Sequence, residues 1–188
     1  MGVHRHAGTP KGVVVKTVYL LRHAKSSWDD AEVADHDRPL AARGQRTAPI
    51  MGEYLRKHDI VPDTVLCSTA LRARQTWDAV AKVLSPTPDV AFRRDIYDAD
   101  ANALLDILHA LPADTESVML IGHNPAFEEV ARLLAGTVDP DAHRRMTEKF
   151  PTAALAELTF DVENWHDVQP RAGGLLRFVK PKEIAGKA

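Results

Sequence analysis

Three places in this chain set ionisable side chains directly after a short apolar run. Arg22-His23 follows Val18-Tyr19-Leu20-Leu21, the stretch Ser68 to Arg72 follows Thr64-Val65-Leu66-Cys67, and His123 follows Val118-Met119-Leu120-Ile121-Gly122. Runs of this composition become strands buried on both faces, and a rigid strand end can hold an imidazole in one place. Such an imidazole, set beside guanidiniums, suits phosphorus chemistry. A neutral ring nitrogen can attack phosphorus directly, while an arginine fork holds two phosphoryl oxygens at once and never loses its proton. The dipeptide alone proves nothing, because Arg5-His6-Ala7 repeats the tripeptide Arg22-His23-Ala24. Context separates them: the first copy follows only a polar stretch.

Positioning those residues requires a sheet and helices to cover it. Residues 1–12, with His4, His6, Gly8, Pro10 and Gly12, carry almost nothing to bury and read as a flexible N-terminal tail. The domain is expected over residues 13–188, with a first strand from Val13 to Leu21. Helical spacing of Ala48, Met51, Tyr54 and Leu55 predicts a helix over 41–58, in which Pro49 is expected to introduce a kink. A strand at 64–67, helices at 71–84 and 101–111, a strand at 118–121 and a helix at 127–134 follow. Strands at 154–160 and 175–179 close the chain, with a loop at 163–174 in which Gly173-Gly174 reads as a turn. Strand and helix alternate, which predicts an α/β fold: a three-layer α/β/α sandwich around a mostly parallel sheet. In such sheets ligands sit beyond the carboxyl ends of the strands, where Arg22, His23, Arg72 and His123 lie.

Composition narrows the partners. The 188 residues hold 24 basic and 26 acidic side chains, net charge -2, which argues against a nucleic-acid binder driven by counterion release. Any anion site must therefore be local. One cysteine, Cys67, excludes an internal disulfide and fits a reducing, cytoplasmic setting. No apolar stretch approaches the ~18 residues of a membrane span, and the chain start lacks the apolar core of a signal peptide. Nine histidines invite a zinc reading, but the paired spacing of structural sites is missing, so no metal or other cofactor is expected. Trp28, Trp77 and Trp165 are expected to pack in the core or at its rim.

Leu-Arg-His-Ala-Lys-Ser at 21–26 resembles the Arg-His-Gly motif that opens the histidine phosphatase superfamily, with Ala24 in place of the usual glycine. Ser68-Thr69-Ala70-Leu71-Arg72-Ala73-Arg74-Gln75-Thr76 resembles that superfamily's second motif, and Gly122-His123-Asn124-Pro125 its second-histidine motif. Asp37-Arg38-Pro39-Leu40 with Arg43-Gly44, and Phe150-Pro151-Thr152-Ala153-Ala154, are similar to segments of the compact SixA-type phosphohistidine phosphatases. The resemblance runs from about residue 17 to residue 180 and implies a phosphoglycerate mutase-like fold. The connection from Arg72 to His123 is short, where the phosphoglycerate mutase branch usually inserts lid-like material, so the site is expected to be open.

What the resemblance implies about roles agrees with the chemistry. His23 is the expected nucleophile, Arg22 and Arg72 the phosphoryl clamps, and His123 a further donor. Lys25 and Ser26 are expected substrate-binding groups at the rim, with Thr152 a further donor. Nearby cations favour the uncharged form of His23. The superfamily's phosphoesterases use a carboxylate to protonate the leaving oxygen, and Asp95, Asp98 and Asp100 lie roughly where it would occur. SixA-type enzymes manage without it, since an imidazole leaving group, with a pKa of ~6.5, departs already protonated. The expected activity is hydrolysis of phosphohistidine on a protein through a phosphorylated His23, releasing inorganic phosphate. The alternatives are a small phosphoester or phosphoanhydride, such as a nucleotide or sugar phosphate, and a phosphate-binding module without turnover.

Overall fold

The computed structural model describes residues 15–138, 144–146 and 148–185. The expected tail over 1–12, with its histidines, and the start of the domain at 13 and 14 lie outside the described residues. The elements are β1 (Val15–Arg22), α1 (Ala42–Lys57), β2 (Thr64–Ser68), α2 (Leu71–Ala81), β3 (Asp89–Arg93), α3 (Ala101–His109), β4 (Ser117–Gly122), α4 (Ala126–Leu134), β5 (Ala135–Val138), β6 (Leu155–Asp161), β7 (Gly173–Val179) and α5 (Pro181–Ile184). The strands form one sheet in the order β3-β2-β4-β1-β6-β7-β5. Pairing is parallel from β3 to β1 and again between β7 and β5, and antiparallel where β6 meets β1 and β7.

Side chains of β1 alternate between the two faces, as a strand requires. Val18 and Leu20 join Leu104, Phe127, Val130, Phe160 and Trp165 on the side covered by α3 and α4. Leu21 joins Met51, Leu55, Trp77, Val80, Met119 and Ile121 on the side covered by α1 and α2, where Ile184 of α5 also packs. Each such side chain, fully buried, contributes roughly 1.5–3 kcal/mol, so both helical layers are bound to the sheet by its own strand residues. The three layers and the mostly parallel sheet are those expected.

Pro49 sits inside α1, as expected, and the helix continues through it to Lys57. Several other local readings change. Strands β3 and β5 have no counterpart among the expected elements: β3 is a largely exposed edge strand with Phe92 42% exposed, and β5 runs on from α4 without a turn. Gly173 and Gly174 open β7 rather than forming a turn, and Trp165–Asp167 make a short 3-10 helix within the expected loop. Trp77 and Trp165 are buried, but Trp28 is 65% exposed, with the Arg38 guanidinium stacked 3.7 Å from its ring centre.

Gly44, at the start of α1, fixes where the chain after β1 runs. A Cβ there would lie 2.2 Å from the carbonyl oxygen of Lys25, so only glycine lets α1 pack against the Lys25 backbone. A second tie joins the same segment to the α1 start, because Ala41 N–H donates to Lys25 O at 2.9 Å.

Candidate active site

Register brings the two histidines together. Arg22 of β1 pairs with Gly122 of β4, so His23 and His123 each leave their strand one residue later, side by side. Their ring centres are 5.0 Å apart. On the other flank of β4, Cys67 pairs with Ile121, which puts Ser68 and the first turn of α2, with Arg72, beside His123. Three strands that end at the same edge thus supply all four residues.

The backbone around His23 is closed on every side. Its N–H donates to Gly122 O at 2.9 Å, and Ala153 N–H donates to both Arg22 O and His23 O, at 3.0 and 3.1 Å. Ala153 adopts a φ of 61°, a strained conformation for a residue with a Cβ that the surrounding contacts hold in place. Ala24 N–H donates to Thr76 Oγ1 at 3.0 Å, and that hydroxyl donates to Arg72 O at 2.7 Å, which couples the His23 loop to α2.

His23 Nδ1 lies 2.7 Å from Ala24 O. A carbonyl only accepts, so the ring hydrogen resides on Nδ1 and the Nε2 lone pair is left for attack. Burial pushes the His23 pKa down to about 3, against the Ala24 hydrogen bond and with help from Arg72 and Arg22. The ring is therefore neutral at pH 7.

His123 is likewise held neutral, its pKa lowered to about 3 by burial, then by His23 and Arg72. Its Nε2 is 2.8 Å from Ser68 Oγ, a hydroxyl that also accepts Ala70 N–H at 3.3 Å and can donate its own hydrogen to Nε2 in the ring form that carries hydrogen on Nδ1. His123 Nδ1 and Arg22 Nε are both buried without a partner among the described residues. In that ring form both are unpaired buried N–H groups, which an anionic oxygen can satisfy.

The guanidiniums are oriented by backbone carbonyls. Arg22 Nη1 donates to Phe150 O at 2.6 Å. Arg72, only 7% exposed, donates from Nη1 to Asp35 O and from Nη2 to Asp35 Oδ2 at 2.9 Å. Each terminal nitrogen carries two hydrogens, so each keeps one for a phosphoryl oxygen. Burial lowers the pKa of Arg22, with Arg72 adding to the shift, and two such cations attract an anion between them.

Lys25 has an exposed side chain, its carbonyl accepts Ala41 N–H, and Ser26 is buried in an isolated bridge with Leu40. Arg93 donates from Nε to Asp95 Oδ1 at 3.0 Å and from Nη2 to Asp95 Oδ2, and this hydrogen-bonded pairing holds the Asp95 carboxyl below its usual range. Asp98 pairs with Arg94 at 3.4 Å, and Asp100 caps α3 by accepting Ala103 N–H at 2.8 Å. Arg74 packs against Phe92, 5.1 Å from its ring centre.

Asp35, Tyr97 and Ser68 are site residues to which the sequence reading assigns no role. Ser68 stands in the second motif, and Tyr97 stands among the aspartates weighed as acids. Asp35 lies in a polar stretch with no apolar pattern, so only its contact with Arg72 identifies it.

The chain matches the model of the Histidine phosphatase superfamily (branch 1) over residues 18–100. It is 37% identical over 164 residues to an uncharacterised protein of Mycobacterium tuberculosis (strain ATCC 25618 / H37Rv), covering 86% of this chain and 100% of that one. The phosphohistidine phosphatase SixA of Escherichia coli (strain K12) is 29% identical over 147 residues, 77% of this chain and 85% of that one. A solved structure of the protein histidine phosphatase SixA in complex with tungstate superposes with a TM-score of 0.72 at 25% identity, covering 89% of this chain and 98% of that one.

Proposed function

The chain belongs to the histidine phosphatase superfamily and is a phosphatase with the phosphoglycerate mutase-like fold, and from that premise we propose that it hydrolyses phosphohistidine carried on a protein. In the first step Nε2 of His23 attacks phosphorus and the bond from phosphorus to the substrate imidazole breaks. The bonding pair stays on that imidazole, which is protonated on its other nitrogen and leaves neutral. His23 becomes a phosphorylated imidazolium, its positive Nδ1–H donating to Ala24 O at the 2.7 Å seen here. In the second step water attacks phosphorus, the pair returns to Nε2, and inorganic phosphate departs with the water hydrogens. Arg22, Arg72 and His123 Nδ1–H meet the charge on the equatorial oxygens throughout, and in phosphoryl transfer most of the rate acceleration usually comes from such fixed donors.

Asp95 carries the choice of substrate class. The carboxylate best placed by sequence to protonate an ester oxygen is ionised and held by Arg93. An alkoxide needs that proton, whereas an imidazole does not. The likeness to SixA, which acts on phosphohistidine by its name, supports the same reading.

The test offers the purified chain a phosphohistidine peptide, a nucleotide and a sugar phosphate. The peptide is expected to turn over fastest, with acid-labile phosphate trapped on the wild type and absent from His23→Ala. Faster turnover of an ester, lost on Asp95→Asn, would reverse the assignment.

A further inference from the structure

Asp35 stands beside Arg72 of the phosphoryl clamp. It begins the 3-10 turn Asp35–Asp37 in the β1–α1 connection, and three partners hold that turn over the site. Arg72 Nη2 and the Tyr97 hydroxyl both donate to the same oxygen, Oδ2, at 2.9 and 2.8 Å, and His36 Nε2 lies 3.0 Å from Thr69 Oγ1. Tyr97 comes from the β3–α3 connection, and its ring stands edge-on to His123 with centres 5.4 Å apart. Asp35 and Tyr97 therefore form one wall beside the phosphoryl clamp.

The second carboxylate oxygen is differently placed. Oδ1 has Arg38 Nε as its cationic neighbour at 4.0 Å, beyond hydrogen-bond reach, and the side chain is 53% exposed. Burial works to raise the Asp35 carboxyl, but Tyr97, Arg72 and Arg38 outweigh it and hold it below the usual range. At neutral pH the site thus presents a fixed negative acceptor next to the guanidinium that grips phosphate.

We propose that Asp35 Oδ1 is the specificity determinant for the leaving group, accepting an N–H from a nitrogenous, proton-bearing leaving group such as the imidazole of phosphohistidine. This rests on the phosphohistidine reading above and adds the residue that enforces it. Attack by His23 in line expels the leaving group on the side away from that ring. A protonated imidazole arriving there finds an acceptor of opposite charge. A nucleotide or sugar phosphate brings further anionic or hydroxyl groups, and the carboxylate repels the anions.

Asp35→Asn keeps one side-chain oxygen as an acceptor for Arg72 and Tyr97 while removing the charge, so it isolates the electrostatic role. A hydrogen bond to a charged group contributes about 1.5–3 kcal/mol, which corresponds to a loss in kcat/KM for a phosphohistidine peptide of roughly tenfold to a hundredfold. Because Asp35 also orients Arg72, turnover of p-nitrophenyl phosphate is expected to fall as well, but by a several-fold smaller factor than that of the peptide, so the ratio of the two kcat/KM values shifts against the peptide. Equal losses on both substrates overturn the proposal and leave Asp35 only as a support for Arg72. Asp35→Glu, which restores the charge, is expected to recover part of the lost preference, and no recovery also counts against it. Failure of the wild type to cleave the peptide at all would instead strike the phosphohistidine reading itself.

Discussion

Lowering the pH tests whether His23 and His123 are buried in their neutral forms. Both have folded pKa values lowered to about 3, from an unfolded value of 6.5, burial being the first cause in each. A group depressed in this way gives stability that is present above its unfolded pKa and is lost as pH falls toward the folded one. The affected window is therefore about pH 6.5 down to pH 3. Near pH 5 the unfolded chain holds almost two more protons on these rings than the folded chain, so stability falls by about 2.7 kcal/mol per pH unit. Between pH 7 and pH 4.5 each ring costs about 2.5 kcal/mol, and the two together about 5 kcal/mol, a large share of a typical domain's stability. Urea unfolding followed by the fluorescence of the buried Trp77 and Trp165 measures this directly. The comparison is the double variant His23→Asn, His123→Gln. Asparagine keeps a donor for Ala24 O and glutamine keeps a polar group for Ser68. The variant is expected to lose most of the slope, while Asp35 and Asp95 with lowered pKa values and Glu157 with a raised one titrate in both proteins and cancel. Parallel pH curves for wild type and variant would refute the claim that these imidazoles are held neutral by burial.

Arg72→Lys keeps the charge but loses the fork that serves Asp35 and phosphate together, so kcat/KM is expected to fall roughly 10²-fold, the scale of losing one preorganised donor. A fall of less than threefold would mean that a point charge suffices. Gly44→Ala forces a methyl into the Lys25 carbonyl, and it is expected to cost about 1–3 kcal/mol in urea unfolding and to lower kcat as the segment from His23 to Ser26 shifts. Wild-type stability in that variant would show that the α1 contact yields freely.

The sequence made the elements legible where burial is two-sided. Val18 to Leu21 and Val118 to Ile121 are apolar because helices cover both faces of the sheet there, and motif order then led to His23 and His123. What it left out was relational. Register alone sets Arg22 against Gly122, and no local pattern encodes which strands are neighbours. Strand β3 was missed because an exposed edge tolerates Asp89 and Arg93, and β5 because Gly136 and Thr137 follow α4 without punctuation. Asp35 escaped for a similar reason. It is half exposed in a charged stretch, and its significance lies in a partner 37 residues away. The aspartates 95, 98 and 100, weighed as possible acids, show their partners Arg93, Arg94 and the Ala103 N–H only in the fold, because those relations leave no mark on a local pattern.

The four side chains of the site are held by hydrogen bonds within the fold. Arg22 leans on Phe150 O, His23 on Ala24 O, Arg72 on Asp35 O, and His123 on a serine that itself accepts Ala70 N–H. Nearly all these anchors are backbone groups beyond strand ends, so the cost of holding like charges together is met when the chain folds. Two cations and two imidazoles kept from protonation are an unfavourable assembly by themselves, and burial lowers the pKa of Arg22 accordingly. On the proposed function an arriving phosphoryl group would relieve that repulsion, and electrostatic preorganisation has this form. Burial first, and the same repulsion after it, makes the neutral state of His23 the stable one, so the features that destabilise the site would also keep the proposed nucleophile ready.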